Sequence, residues 1–411
     1  MRLAVVSPFV DRRHGTERAL AELLQRLAND YHCEIHLYAE RVEDLTLADP
    51  KTKCSPQSGV LVWHKVPSIP GPHLVRFLGW MIANSFLRWA HRIFRGLAFD
   101  LVLSPGINCW NADVIIVHAI FHRLHELSLE KAAVDAPQPK SFRDLHRRAY
   151  YGLLTALERR LYSDRRTTLA AVSQRTADQL QQYFGRSDVR VIPNGVDTRE
   201  FHESNRTAHR QLARRRLHLL DTDFVLLLIG NDWHAKGVPA ILESMAQLPA
   251  LPLHLLVVGN DDAAAIREQA KRLGVLKQCH WESPRPAVID FYAAADVYVS
   301  PSREDSFALP VAEAMACGLP IITSAQAGVS ALIHDAIDGF VLRDPQDAQR
   351  LASIIQQLYS QGPLRESIGE AAAKTANAWT WELPAAQVWA LLQDSAAVNS
   401  PKNRNSSKGS V

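Results

Sequence analysis

Short apolar runs rich in β-branched residues alternate along this chain with longer stretches whose apolar positions recur every three to four residues. That alternation predicts strands and helices in turn, the pattern of parallel α/β sheets. Residues 2–8 form the first run, and the loop from residue 9 to Gly15 leads to a helix predicted over 17–29, capped by Thr16. Leu20, Leu23, Leu24 and Leu27 line one face of it. Strands are predicted at 33–39, 60–66, 99–104, 113–118 and 169–173, and a helix at 176–184. His118 ends one of these strands, at the carboxyl edge where ligands of such sheets bind. A run at 189–197 closes in an Asn194-Gly195 turn, and the polar, charged stretch 198–216 reads as a linker. A domain boundary is expected near 194–201.

The alternation begins afresh beyond that stretch. Predicted strands fall at 223–230, 253–259, 278–281, 296–300, 320–323 and 338–342. Helices are expected at 239–247, after Asn260-Asp261-Asp262 as far as 273, and at 288–295 and 309–316. Another follows the loop at 325–330, and three more cover 347–359, 363–378 and 379–392. From Ser395 the tail is polar, and 395–411 is expected to be disordered. The fold class is therefore α/β, with two doubly wound halves. The first is 1–196, with the helix at about 379–393 expected to pack back on it, and the second is 197–378.

Composition narrows the class. A length of 411 residues suffices for about two to three domains with real cores. Hydrophobic content of 47% and charged content of 22% are those of a soluble globular protein. A net charge of +3 does not call for a nucleic-acid partner. Cys33, Cys54, Cys109, Cys279 and Cys317 are scattered without a C-x-x-C pair, which predicts reduced thiols in a cytoplasmic protein. The chain opens straight into a strand, so no signal peptide is expected, and no apolar run is long enough to span a membrane.

Basic residues, however, are unevenly placed. Residues 73–95 are strongly apolar and edged by Arg76, Arg88, Arg92 and Arg95, while 140–166 carries seven arginines between Arg143 and Arg166. Either stretch reads as a core helix with a solvated basic edge, or as a basic amphipathic helix on an anionic membrane face.

Candidate chemistry gathers around the 309–316 helix. Asp305 precedes it and Glu313 lies within it, up to ~12 Å away if the intervening residues are largely helical. That is too far for a shared proton and suits gripping two ends of an extended, hydroxyl-rich ligand. The amides near Ser306, Phe307 and Ala308 open a helix N-terminus, where phosphate binds. An ordinary strand-loop-helix unit with solvated acids is the competing reading. Lys236 beside Gly237, at another strand-to-helix turn, is a phosphate grip or an exposed loop lysine. Gly15 alone is explained equally by a tight turn. His118 can donate to a ligand hydroxyl or phosphate oxygen. His122 and His125 follow without a credible metal shell, and Asp261 and Asp262 read as helix caps, so no metal is expected.

Several segments together resemble one family, the retaining glycosyltransferases of family 4 with the GT-B architecture of two Rossmann-like domains. They are Ala171-Val-Ser173, Val191-Ile-Pro-Asn-Gly-Val-Asp197 with Phe201, Ile229-Gly230 with Lys236-Gly237, and Tyr292-Ala-Ala-Ala-Asp-Val-Tyr-Val299 with Pro301-Ser302. The most specific is Asp305, Phe307, Leu309-Pro310 and Glu313-Ala-Met-Ala-Cys-Gly318. The likeness runs from Met1 to about Leu392 and is looser in the first half. Within the family, bacterial transferases that decorate lipopolysaccharide core or other cell-envelope glycans are most similar.

The resemblance implies two domains facing across a cleft that closes about residue 194, and transfer of a sugar from a nucleotide diphosphate donor to a hydroxyl with retention. It implies that Glu313 holds the ribose hydroxyls, Asp305 the donor sugar's hydroxyls, and Lys236 the diphosphate, with amides of Phe307, Ala308 and Leu309 adding to the last. Gly15 and Thr16 match the loop that approaches phosphate and acceptor, and His118 faces the reacting sugar. No carboxylate pair is spaced for double displacement, so the implied chemistry is same-face substitution in which the departing phosphate deprotonates the acceptor. No cofactor or metal is then required.

Three departures stand out. Asp305 is one methylene shorter than the usual glutamate, with Glu304 beside it as a substitute. Asn231 stands where an arginine often partners the lysine. Ser306 and Ala308 replace two glycines, which restricts positive φ. Two alternatives remain open: a nucleotide-sugar epimerase on the same architecture, or a catalytically inert nucleotide-sugar-binding protein. Expected partners are a nucleotide-sugar donor, a glycan or glycolipid acceptor, and an anionic membrane met through 73–95 and 140–166. The expected location is cytoplasmic, at the membrane's inner face if that contact forms.

Overall fold

The computed structural model describes residues 1–12, 15–48, 59–134, 142–285 and 287–399. Contacts divide the chain into two compact units, Met1–Ile192 with Pro384–Val411, and Pro193–Leu383.

In the first unit the chain runs β1 (Arg2–Val6), β2 (Phe9–Val10), α1 (Gly15–Asn29), β3 (Glu34–Ala39), β4 (Arg41–Val42) and β5 (Val60–Lys65). It continues through α2 (His73–Arg95), β6 (Leu101–Pro105), β7 (Val114–Val117), α3 (Phe121–Val134), α4 (Phe142–Tyr162), β8 (Thr168–Ala171), α5 (Gln174–Phe184) and β9 (Arg190–Val191). Seven strands form a parallel sheet in the order β5-β3-β1-β6-β7-β8-β9, and β2 pairs with β4 apart from it. Leu3 to Val6 are wholly buried, as a central parallel strand covered on both faces requires.

Three sequence expectations change here. Helix α1 starts at Gly15, so Thr16 is its exposed second residue and not its cap. The strand expected over 189–197 is only β9, because Pro193 lacks the N–H that a ladder needs. Arg88 is no edge residue of α2: it is buried and donates to the Asn84 and Asn111 side-chain oxygens at 3.2 and 2.9 Å.

Beside β3 and β5 lies a cluster of imidazoles. His36 Nδ1 and His64 Nε2 share a hydrogen bond of 2.8 Å, and Tyr38 Oη and His91 Nδ1 share one of 2.9 Å. Burial pushes His64 down to about 3, with His36, His91 and Arg95 adding to the effect, and His36 and His91 are lowered by burial as well.

The second unit begins with α6 (Glu203–Arg216), β10 (Phe224–Ile229), α7 (Val238–Ala246), β11 (Leu253–Val258), α8 (Ala264–Arg272), β12 (Cys279–Glu282) and α9 (Ile289–Ala294). It ends with β13 (Val297–Ser300), α10 (Leu309–Ala316), β14 (Ile321–Ser324), β15 (Phe340–Leu342), α11 (Ala348–Ser360) and α12 (Gly362–Ala376). Six strands form a parallel sheet in the order β12-β11-β10-β13-β14-β15. After the loop at 325–330 there is only one short 3₁₀ stretch, Gly328–Leu332. Helix α13 (Glu382–Asn399) then enters the first unit, where Ser395 Oγ and Thr168 Oγ1 share a hydrogen bond of 3.1 Å and the Tyr31 ring lies 5.4 Å from that of Trp389. It continues past Ser395, where the sequence reading starts a polar tail. The Ser395 hydroxyl also reaches the Leu391 carbonyl at 2.8 Å, so the helix carries it without an unsatisfied group. Residues 400–411 lie outside the described residues.

The stretch 198–216 is not a linker. Its arginines are the anchors of α6 on α9. Arg214, 2% exposed, donates to the carbonyls of Ala294, Leu220 and Asp223 at 2.9, 2.6 and 2.6 Å. Arg210 reaches the Ala293 and Ala295 carbonyls and pairs with Asp296 at 2.6 Å, and Arg206 also reaches Ala295. A helix leaves its last carbonyls without internal partners, and guanidinium groups supply both the hydrogen bonds and the charge that suits them. A charged composition therefore hides a packed helix, of which Ala213 and Arg214 are buried.

Two outcomes follow for stability. Arg214→Met leaves Asp296 and several carbonyls short of a donor and costs about 3 kcal/mol or more in denaturant unfolding, while Arg215→Met on the exposed face stays within about 0.5 kcal/mol. Because His64 titrates lower in the folded state than at its ordinary 6.5, the unfolded chain takes the proton first. Stability is then full above about pH 6.5 and falls as pH drops toward 3, and His64→Phe makes the slope of Tm against pH shallower; an unchanged slope contradicts this.

Candidate functional site

The second sheet reverses its strand order between β10 and β13, because the chain moves from β10 outward to β11 on one side and to β13 on the other. Loops leaving the carboxyl ends at such a point diverge and leave room for a ligand. Here they are residues 230–237 after β10 and 301–308 after β13.

These two loops are tied together. Gly237 adopts φ +87°, and a Cβ there would meet the Pro301 carbonyl oxygen at 2.2 Å, so only glycine lets the backbones approach this closely. Arg303 N donates to the Ala235 carbonyl at 2.7 Å. Lys236 Nζ then pairs with Asp305 Oδ2. Its stem passes Gly230, where an added Cβ would lie 3.2 Å from the Lys236 Cε. A third loop, after β14, is stitched alongside: Asp305 N donates to Gln326 O at 3.1 Å, and Gly328 N to Asp305 O at 2.9 Å.

Asp305 does more than pair with lysine. Its Oδ1 accepts the amides of Ala308 at 2.8 Å and Phe307 at 3.3 Å, at the entrance to α10. Ala308 takes the left-handed conformation, φ +67° and ψ +62°, so the loop keeps its amide-forward shape without a glycine. The cost of that conformation for a residue with a Cβ is about 1–2 kcal/mol. Together the lysine and the two amides form an anion site, and the anion seated in it is a carboxylate of the chain itself.

Glu313 sits in the second turn of α10 and is 2% exposed. Tyr292 Oη, on α9, donates to its Oε2 at 2.6 Å and is also 3.3 Å from the Pro310 carbonyl. Below the loops, burial raises the Tyr298 phenol far above its usual range, and the charges of Asp305 and Glu313 push it further. Both carboxylates thus act on one buried ring.

The remaining candidates are more dispersed. Asn231 is exposed, and its Oδ1 accepts the Asn260 amide at 2.8 Å, which ties it to the loop after β11. Asp261 accepts the Trp233 amide at 2.7 Å, bracing the same loop, while Asp262 accepts Ala264 N at 2.9 Å at the start of α8. Glu304 and Ser306 are half-buried, and Lys236 meets Asp305. Leu309 is the buried first residue of α10. In the first unit, Gly15 and Thr16 open α1 on the surface, and His118 follows β7. Burial lowers His118 to about 4, so its imidazole is neutral at pH 7. Among the described residues no group of His, Cys, Asp and Glu could hold a metal ion.

Sequence reasoning gave no individual role to Tyr292, Pro301, Arg303 or the 326–328 backbone. Tyr292 lies in a segment that drew notice, but its partner is 21 residues away, beyond any local pattern.

Two family models match the chain: the one described as Glycosyltransferase Family 4 over residues 13–200, and Glycosyl transferases group 1 over residues 209–375. Between them they take in most of the sequence, and the chain belongs to this group of glycosyltransferases. It is 28% identical over 226 residues to the lipopolysaccharide glucosyltransferase WaaG of Escherichia coli (strain K12), covering 54% of this chain and 60% of that protein. It is 30% identical over 281 residues to the D-inositol 3-phosphate glycosyltransferase of Segniliparus rotundus, covering 65% and 59%. The chain thus spans about 60% of the length of these relatives. A crystal structure of WaaG, a glycosyltransferase involved in lipopolysaccharide biosynthesis, superposes with a TM-score of 0.75 at 22% identity, over 97% of this chain and 100% of that one. Anabaena HepE in complex with UDP-glucose gives 0.69 at 19% identity, over 96% and 100%. The fold is GT-B, with a Rossmann-like sheet in each unit.

Asp305 occupies the lysine and the amides, so removing its charge weakens its hold on them and favours a phosphate that binds there. Asp305→Asn is expected to bind UDP about 10-fold tighter than the unaltered protein, by calorimetry, as one competing charge pair is lost. Unchanged or weaker UDP binding contradicts the assignment of this site to phosphate.

Proposed function

We propose that this chain is a retaining glycosyltransferase that moves a sugar from a nucleoside diphosphate donor to a hydroxyl of a glycan or glycolipid. The observation that carries the reading is the carboxylate of Asp305 seated on Lys236 and the Phe307 and Ala308 amides, at the strand-order reversal of a GT-B unit. An anion held in this way marks where a diphosphate's charge is best stabilised.

In this reading the donor diphosphate takes Lys236 and the α10 amides, and Asp305 is released to the donor sugar's hydroxyls. Glu313, held by Tyr292, grips the ribose. His118 acts as a neutral hydrogen-bonding group toward the sugar, since its imidazole carries no charge at pH 7. Gly15 and Thr16 belong to the approach of phosphate and acceptor. As the bond to the anomeric carbon breaks, negative charge grows on the leaving phosphate, and Lys236 with the amides stabilises it there. The same phosphate oxygen takes the proton of the incoming hydroxyl on the same face, which keeps the anomeric configuration. The acceptor is met at the inner face of a membrane, in the cytoplasm, as a glycolipid would present it.

A panel of nucleotide-sugars with the purified protein tests this, with UDP-glucose first. Transfer, or slow hydrolysis of the donor, is expected; epimer formation, or binding without turnover, contradicts it. Lys236→Ala and Glu313→Ala are each expected to lower turnover at least ~100-fold, and wild-type rates in both overturn the site.

A further inference from the structure

Helix α2 buries a mixed face and exposes an apolar one. Trp80, Met81, Asn84, Arg88 and His91 are buried. Val75, Ile82, Phe86, Trp89 and Ile93 recur at helical spacing on the opposite side and are 47, 64, 63, 52 and 58% exposed. Phe94 beside them is 77% exposed. Phe86 and Trp89 rings lie 5.6 Å apart, and Trp89 and Phe94 6.2 Å, so the aromatic side chains form one patch. The stripe is about 27 Å long, at 1.5 Å per residue. A monomer rarely leaves so continuous an apolar surface in water.

We propose that this stripe is a membrane-docking face that seats the first unit in the headgroup layer of an anionic bilayer. Charge decides among the occupants. The 23 residues of α2 include no Asp or Glu, and exposed Arg76 and Arg92 flank the stripe with Arg95 at its end. Phosphate headgroups complement that pattern, with the apolar side chains below and the guanidinium groups at headgroup depth. A second copy packed on the same stripe would bring arginines against arginines with no acid of α2 to meet them. No helix among the described residues is long and apolar enough to cross a membrane, so α2 lies on the surface. Helix α4 differs: Arg147, Arg148, Arg159 and Arg160 are exposed, but no large apolar side chain is exposed from residue 146 onward in it. The contact surface is therefore narrowed to α2.

The inference rests on the glycolipid acceptor proposed above for its purpose, but vesicle binding itself is read without donor or acceptor. The full chain is sedimented with vesicles of phosphatidylcholine alone and of phosphatidylcholine mixed with phosphatidylglycerol. Binding to the mixed vesicles is expected, and Phe86→Ser with Trp89→Ser lowers it at least ~10-fold while thermal stability and donor hydrolysis stay unchanged. Arg76→Glu with Arg92→Glu removes the preference for the anionic lipid. Arg159→Glu with Arg160→Glu, on α4, costs less than either. The proposal is overturned if the unaltered chain stays in solution with anionic vesicles, if the serine variant binds as well as it does, or if the α4 variant alone abolishes binding. It is equally overturned if light scattering shows a dimer that the serine variant dissociates with vesicle binding untouched. Loss of donor hydrolysis with vesicle binding intact would count against the enzymatic reading and leave this one standing.

Discussion

One ion pair organises the second unit. Lys236 comes from the loop after β10 and Asp305 from the loop after β13, and their pairing joins the two sides of the strand-order reversal. Everything around it serves that meeting. Gly237 lets the first loop lie against Pro301, Arg303 ties its amide to Ala235, and the 326–328 backbone holds the far side of Asp305. The pair is 23% and 14% exposed on its two sides, so it is partly shielded from water without being sealed. A fully buried pair would resist exchange for a ligand, and a fully exposed one would organise nothing. The intermediate case suits a site whose internal anion can be replaced by phosphate.

Arginine does two different jobs in this chain, and composition does not separate them. On α6 the guanidinium groups turn inward to the last carbonyls of α9 and to Asp296, where backbone acceptors are otherwise short of donors. On α2 only Arg88 turns inward, to Asn84 and Asn111, while Arg76, Arg92 and Arg95 stay at the surface beside an apolar stripe. A small net charge of +3 thus coexists with one strongly basic, acid-free surface helix.

Much of the fold was legible because parallel α/β units announce themselves locally. Buried strands read as apolar runs, and α10 falls on the expected 309–316 because Pro310 is preset for its first turn and Gly318, at φ +68°, supplies its left-handed end. The failures are equally physical. The 198–216 stretch looked like a linker because no pattern in it shows that Arg206, Arg210 and Arg214 would find carbonyls about 80 to 90 residues away. Lys236 and Asp305 were each singled out for a ligand, yet their pairing, across 69 residues, was invisible. Ala308 shows the limit of reading φ from residue type: the loop keeps a left-handed residue where glycine would be easier, since surrounding hydrogen bonds over-determine it. The roles proposed for His118, Gly15 and Thr16 rest on family likeness, since no spacing in the sequence gives them.

The chemistry assigned to this arrangement makes the leaving phosphate both the charge to be stabilised and the base, with no carboxylate nucleophile. That claim has a stereochemical consequence. The most direct measurement is the anomeric proton coupling, by NMR, of the first product formed from a nucleotide α-sugar under initial-rate conditions. The account predicts an α-linked product; a β-linked product would contradict it.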